Sequence, residues 1–145
     1  VAIVVNEKSG ELVSVGNNIV TSSGLSMANA EIFALTLAQA KIGERNLSHG
    51  SPMQLVTSCE PCAMCFCAVP CSGVKSLVCG ARKKDAEAAG FDEGDKPAHW
   101  VRSLLRSGIV VQCSVLRAEA EAVLAGYREG GGPIYNVGEE QEGSD

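Results

Sequence analysis

The chain has 145 residues, 46% of them hydrophobic and 20% charged, which is typical of one globular domain. We expect that domain to span residues 1–138, with an acidic tail over 139–145. The formal net charge of −5 disfavours tight binding to a nucleic-acid backbone and fits a small neutral ligand better. Neither a run of about 18 apolar residues, as in a membrane helix, nor a secretory leader is visible, so we expect a cytoplasmic protein without nucleic-acid or membrane partners.

Apolar patterns and turn residues predict strands that alternate with helices after an opening hairpin. In chain order, we predict two hairpin strands at 1–5 and 11–15, a loop at 21–27, a helix at 28–42 and a strand at 53–57. A helix then begins near Pro61 and is kinked or ended by Pro70, and a strand at 74–79 follows it. The last predicted elements are a helix at 84–89, a loop at 90–96, a helix at 98–106, a strand at 109–115 and a helix at 117–128. Apolar residues occupy nearly every face of helix 28–42, so it should be buried. The alternation indicates an α/β layered sandwich with a mixed sheet.

Cysteines are the most informative residues, because five of the seven lie between Cys59 and Cys71. An odd number without a secretory leader favours reduced thiols or a metal site over a disulfide framework. Cys62 and Cys65 are spaced i, i+3 in the first turn of a predicted helix, where two thiolates suit a zinc ion. Two buried structural cysteines are the alternative. An iron–sulfur site is disfavoured because Val69 occupies the position of the fourth cysteine.

A carboxylate at the start of another helix adds to this pattern. Glu31 lies in the first turn of helix 28–42, and taken alone it could simply complement the helix dipole. Zinc-dependent deaminases carry H-x-E followed by P-C-x-x-C. The same order occurs here as Asn29-Ala30-Glu31 and Pro61-Cys62-Ala63-Met64-Cys65, with Asn29 in the place of the histidine.

Beyond these motifs, the chain resembles the guanine deaminase branch of the cytidine-deaminase-like superfamily. The resemblance runs from residue 1 to about residue 136 and is carried by Gly16-Asn17-Asn18, Ala30-Glu31-Ile32, the run from Thr57 to Phe66, the run from Gly90 to Asp95, and Pro133-Ile134-Tyr135-Asn136. It implies a three-layer α/β/α sandwich with a mixed five-stranded sheet. In the family a further helix precedes the first strand, and we do not expect it in this chain.

The resemblance also implies roles for single residues. Cys62, Cys65 and, at the third position, Asn29 would hold Zn²⁺. Glu31 would shuttle a proton, and Glu93 would be a second carboxylate that handles the leaving amino group.

The remaining implied roles concern the purine. Asn18 would hydrogen-bond the purine ring, Ala30 would line its pocket, and Tyr135 would close the pocket, in this branch often from the partner subunit of a swapped homodimer. The implied reaction is the hydrolysis of guanine to xanthine and ammonia.

Two departures from the family pattern leave alternatives open. An amide oxygen at Asn29 is a weak zinc ligand compared with imidazole. The chain could therefore bind zinc weakly through Asn29, or be a metal-poor and inactive purine-binding relative. Asn29 could also be a deliberate substitution for the histidine. Cys59 could contribute to the site. At Pro70-Cys71 the branch often has bulkier residues, so the preferred base is open, and a deaminase of nucleic acid or of another base is a further alternative.

Overall fold

The computed structural model describes residues 1–135, and its centre is a mixed sheet with the strand order β2-β1-β3-β4-β5. The strands are β1 (Ala2–Asn6), β2 (Leu12–Gly16), β3 (Met53–Cys59), β4 (Ser76–Ala81) and β5 (Val110–Gln112). Strand β1 is antiparallel to β2 and β3, whereas β3, β4 and β5 are parallel to one another. The predicted mixed sheet of five strands is therefore confirmed for the described part of the chain.

Helices connect the strands and cover both faces of the sheet. They are α1 (Val20–Ser23), α2 (Ala30–Ile42), α3 (Ala63–Ser72), α4 (Lys83–Ala88), α5 (Trp100–Arg106) and α6 (Arg117–Glu129). Helix α2 packs on β1, β2 and α3, and α6 packs on β4. Among residues 1–135, each helix is too short or too polar to cross a bilayer.

Two local predictions need correction, and the end of one helix is now defined. The segment 21–27, predicted as a loop, contributes to the short helix α1. Helix α3 contains Pro70 and ends two residues later at Ser72. Gly73 then takes the left-handed conformation, with φ of 82°, which glycine adopts without steric penalty. Helix α2 is not buried on all sides, since Leu37 is 45% exposed; only the face that packs on the sheet is covered.

The core lies between the sheet and helices α2 and α3. Val4, Leu55 and Leu77 are paired in register on three neighbouring strands and are fully buried. Because side chains alternate along a strand, Ala2, Thr57 and Cys79 face the same side two residues further along.

The register brings several chain segments to one edge of the sheet. Ala2 pairs with both Gly16 and Thr57, so β2 and β3 both end where β1 begins. A Cβ on Gly16 would lie 2.5 Å from the backbone nitrogen of Ala34, so the absent side chain lets β2 approach α2 closely. The start of α2 and the start of α3 consequently lie at the same edge.

Candidate active site

Two helix N-termini converge at this edge of the sheet. Asn29 is the N-cap residue of α2 and Cys62 is the N-cap residue of α3. The Nδ2 atom of Asn29 lies 3.5 Å from the Sγ atom of Cys62, which also accepts a hydrogen bond of 3.5 Å from the backbone amide of Cys65. The structure therefore joins residues that the sequence separates by 33 positions.

Cys62 and Cys65 are joined by hydrogen bonds that affect their pKa values in opposite directions. A hydrogen bond from the Cys65 thiol lowers the pKa of Cys62 to about 6, and the backbone amides of Cys65 and Met64 and the charge of Lys96 act in the same direction. The hydrogen bond with Cys62, together with burial, raises the pKa of Cys65. Of the two thiols, Cys62 is therefore the one whose thiolate form is favoured, by donors at a helix N-terminus.

Glu31 lies beside the thiol pair, in the first turn of α2. Burial raises the pKa of this carboxyl, and the nearby negative charge of Cys62 raises it further. Hydrogen bonds from its own backbone amide and from the Cys65 thiol oppose the shift. A carboxyl group held in this way can take up and release a proton closer to neutral pH than an exposed one.

Glu93 approaches the same place from the loop after α4. Its backbone carbonyl accepts a hydrogen bond of 2.9 Å from the amide of Ala63, the first residue of α3. Burial, and then the negative charges of Cys62 and Glu31, raise the pKa of Glu93 to about 7, while the charge of Lys96 opposes the shift. The structure therefore places two carboxyl groups with raised pKa values beside the Cys62–Cys65 pair.

Asn18 and Tyr135 meet at the rim of the site. The Nδ2 atom of Asn18 donates a hydrogen bond of 2.5 Å to the hydroxyl of Tyr135, and its Oδ1 atom accepts one of 3.1 Å from the amide of Val20. Phe91 packs edge-on against Tyr135, with ring centroids 6.1 Å apart. Ala30, which opens α2, is 6% exposed. The residues expected to surround a purine are thus present at the edge that carries Glu31.

The donor set fits a zinc ion only in part. Cys62 and Cys65 offer two sulfur donors in one helical turn, as zinc prefers. Within residues 1–135, no three His, Cys, Asp or Glu side chains are grouped so as to hold a metal ion. Asn29 contacts Cys62 through its Nδ2 atom, and the amide oxygen that it could offer to a metal is neutral and a weaker donor than imidazole. Cys59 instead lies with its Sγ atom 3.8 Å from the carbonyl oxygen of Arg82.

Sequence reasoning missed a buried ion pair next to the site. The Lys96 side chain is only 3% exposed, and its Nζ atom lies 3.4 Å from Oε2 of Glu60. A charged residue in a loop rich in glycine and acidic residues is normally read as exposed. The partner, Glu60, lies 36 positions earlier in the chain, so no local pattern marks the pair.

Comparison with known proteins identifies the family. The model of the cytidine and deoxycytidylate deaminase zinc-binding region matches residues 1–81, which is more than half of the chain. The protein therefore belongs to the cytidine and deoxycytidylate deaminase family. This result confirms the superfamily that the motifs at Glu31 and Cys62 indicated.

Two individual relatives are similar to this chain over more than half of its length. A guanine deaminase from Bacillus subtilis (strain 168) is 37% identical over 97 residues, which are 63% of this chain and 60% of the relative. A tRNA-specific adenosine deaminase from Rickettsia bellii (strain RML369-C) is 29% identical over 117 residues, or 79% of each chain. The chain thus spans about 60% of the length of the Bacillus protein.

Solved structures agree with this placement. The guanine deaminase from Nitrosomonas europaea superposes with a TM-score of 0.86 and 48% identity, covering 88% of this chain and 71% of that one. A structure solved in complex with 2,6-diaminopurine superposes with a TM-score of 0.88 and 49% identity, covering 93% of this chain and 72% of that one. The cytidine-deaminase-like sandwich expected from the sequence is thereby confirmed.

Proposed function

We propose that the protein is a zinc-dependent hydrolase that deaminates a purine base, converting guanine and water to xanthine and ammonia. The observation that carries the proposal is the convergence of two helix N-termini, which places the carboxyl of Glu31 beside the Cys62–Cys65 pair. The similarity to guanine deaminases over most of the chain supports the choice of base.

Three residues are proposed to hold the metal. Cys62 and Cys65 would provide sulfur donors, and Asn29 would provide its amide oxygen. A bound zinc ion lowers the pKa of water from 15.7 to about 7 and so supplies hydroxide at neutral pH.

The chain's own carboxyl groups are proposed to move the protons. Glu31 accepts a proton from water and delivers it to a ring nitrogen of the base, because burial raises the pKa of this carboxyl and makes it a stronger base than an exposed carboxylate. Glu93, whose pKa is raised to about 7, donates a proton to the departing amino group. The net result is replacement of the C2 amino group of guanine by oxygen and release of ammonia.

Three further residues are proposed to hold the base. Asn18 offers an amide that can exchange its bond to Tyr135 for one to the purine ring. Ala30 lines the floor of the site, and Tyr135 closes it. Similar structures were solved with 8-azaguanine and with 2,6-diaminopurine, which supports a purine pocket.

Asn29 favours a second candidate, a purine-binding relative that lacks activity. Catalytic zinc usually has three strong protein ligands, and this site contains two thiols and an amide. Such a protein would bind guanine or a guanine analogue without releasing ammonia. A deaminase of nucleic acid is disfavoured by the net charge of −5.

Metal content and ammonia release separate these candidates. We would measure zinc per chain after dialysis against a mild chelator, and ammonia release with guanine, adenine and cytosine, for the parent and for Asn29→His. We expect the parent to lose zinc more readily and Asn29→His to retain it and deaminate guanine faster. Arg102→His is the control, because it adds imidazole at an exposed position of α5, outside the proposed site.

Each result favours one of the candidate functions. Equal and full zinc occupancy, with equal rates, in the parent and Asn29→His would show that Asn29 is a competent ligand. Guanine binding without ammonia release in both proteins would favour the inactive relative. A rate with adenine or cytosine above that with guanine would reject the proposed substrate.

We also propose that the protein is a cytoplasmic homodimer whose C-terminal segment exchanges between subunits. The segment at 130–133 contains three glycines and a proline, and Tyr135 beyond it contacts Asn18. Exposed apolar side chains around α6 offer a surface for a second copy, among them Leu116 and Val123, each 69% exposed.

A further inference from the structure

We propose that Lys96 is a positioning residue that holds the loop of residues 91–97, and with it Glu93, against the start of α3. This inference rests on the proposed function insofar as Glu93 takes part in the chemistry. It concerns a residue that is buried but outside the set of groups that would touch substrate or metal.

Protein groups surround the Lys96 ammonium. Its Nζ atom donates a hydrogen bond of 2.8 Å to the carbonyl oxygen of Pro61 and lies 3.4 Å from Oε2 of Glu60. It also lies 4.2 Å from the centroid of the Trp100 ring, a cation–π distance. Lys96 therefore connects its loop to the two residues that precede Cys62.

Glu60 is itself attached to the sheet. Its backbone amide donates to the carbonyl of Ala81 at 2.8 Å, and its Oε2 atom accepts a hydrogen bond of 3.3 Å from the amide of Lys83. Because Ala81 ends β4, Lys96 is connected through Glu60 to the rigid carboxyl edge of the sheet rather than to another loop.

The loop contacts α3 at Glu93 and at the next residue, Gly94. The Ala63 amide donates to the carbonyl of Glu93, and Gly94 lies so close to Ala63 that a Cβ on the glycine would be 3.0 Å from the alanine Cβ. The Nζ atom of Lys83 donates to the carbonyl of Gly94 at 2.7 Å. Lys96 is the buried anchor at the far end of this segment, so removing it should free the loop while leaving the Glu93 carboxyl intact.

Loss of the Lys96 contacts should lower the rate, because Glu93 would no longer be held in one position. A displacement of about 1 Å in a reacting group can lower the rate about 100-fold. We therefore expect Lys96→Met to lower kcat on guanine about 10- to 100-fold with a smaller change in KM, because Asn18, Ala30 and Tyr135 lie outside the loop, although Phe91 of the loop packs on Tyr135.

The Ala63 amide provides a readout that does not depend on activity. As a first-turn donor it has no partner inside its own helix, so its protection from hydrogen exchange reports the bond to Glu93 directly. We expect Lys96→Met to accelerate exchange at Ala63. Glu93→Gln keeps the backbone carbonyl and should leave this exchange unchanged while lowering kcat.

Two further variants keep the test decisive. Lys96→Met leaves Glu60 buried without its cation, which is destabilising, so Glu60→Gln/Lys96→Met removes both charges. We expect the double variant to recover thermal stability but to keep fast exchange at Ala63 and a low kcat, since the bond to Pro61 is still missing. Lys84→Met, at an exposed lysine of α4, is the matched control and should behave as the parent.

The outcomes separate this proposal from the proposed function. Unchanged exchange at Ala63 in Lys96→Met, or recovery of exchange protection and kcat together in the double variant, would overturn the positioning role. If the parent does not deaminate guanine, the proposed function fails, and exchange at Ala63 alone still decides whether Lys96 holds the loop.

Discussion

Glu31→Gln is the sharpest test of the proposed chemistry. A positioned acid–base group contributes about 10²- to 10⁴-fold to the rate, and each factor of ten corresponds to about 1.36 kcal/mol. We expect kcat on guanine to fall within that range, a barrier higher by about 2.7–5.4 kcal/mol. Glutamine has nearly the same shape but cannot carry the proton.

The structure predicts a second signature for this variant. Burial disfavours the charged carboxylate of Glu31, so the neutral amide should not lower the free energy of unfolding. Activity should therefore fall while the thermal midpoint stays at or above that of the parent. A substitution that disrupted packing would lower both.

The assay is ammonia release at saturating guanine, with thermal unfolding of the same preparations. Glu31→Gln is introduced into the parent and into Asn29→His, and both measurements are made in each background. Weak metal binding by the parent then cannot hide the effect of Glu31→Gln on the rate. Glu44→Gln is the matched control, because Glu44 forms an exposed pair with His49 at 3.6 Å and such pairs contribute little. A kcat within about tenfold of the parent, or a loss of rate that follows a loss of stability, would refute the shuttle role of Glu31.

The remaining predictions concern stability and assembly. Gly16→Ala should lower the free energy of unfolding by about 1–3 kcal/mol, because the added Cβ would meet the α2 backbone at Ala34. Gly126→Ala, in open space on α6, should raise the free energy of unfolding by about 0.5–1 kcal/mol. Urea midpoints of the two variants that move in the same direction would contradict this pair of predictions. Asp85→Asn should lower the urea midpoint at pH 7, because hydrogen bonds from Arg117 hold the pKa of that carboxyl well below its usual range. Stability from such a depressed pKa is present above the unfolded value of about 4 and lost as pH falls below it, so the difference between parent and variant should shrink in acid. Light scattering should give the mass of two chains, and a monomer at working concentration would contradict the proposed dimer.

Local sequence determined the chemistry-bearing turns of this protein. The spacing of Cys62 and Cys65 requires that both thiols lie on one side of a helix start, and the structure has them there. Glu31 lies in the first turn of an apolar helix, a position that the local sequence also predicted. The opening hairpin and the alternation of strands and helices follow from apolar periodicity, which acts over a few residues, and they were sufficient to predict a mixed sheet.

Tertiary structure decided which of these turns meet and which side chains are buried. The contact of Asn29 with Cys62 and the pairing of Lys96 with Glu60 join segments that only the strand order brings together. Leu37 is exposed although its helix is apolar on nearly every face, because a helix packed on one sheet covers only one of its faces. Periodicity along a chain records local geometry, whereas burial and charge pairing depend on neighbours that are distant in sequence.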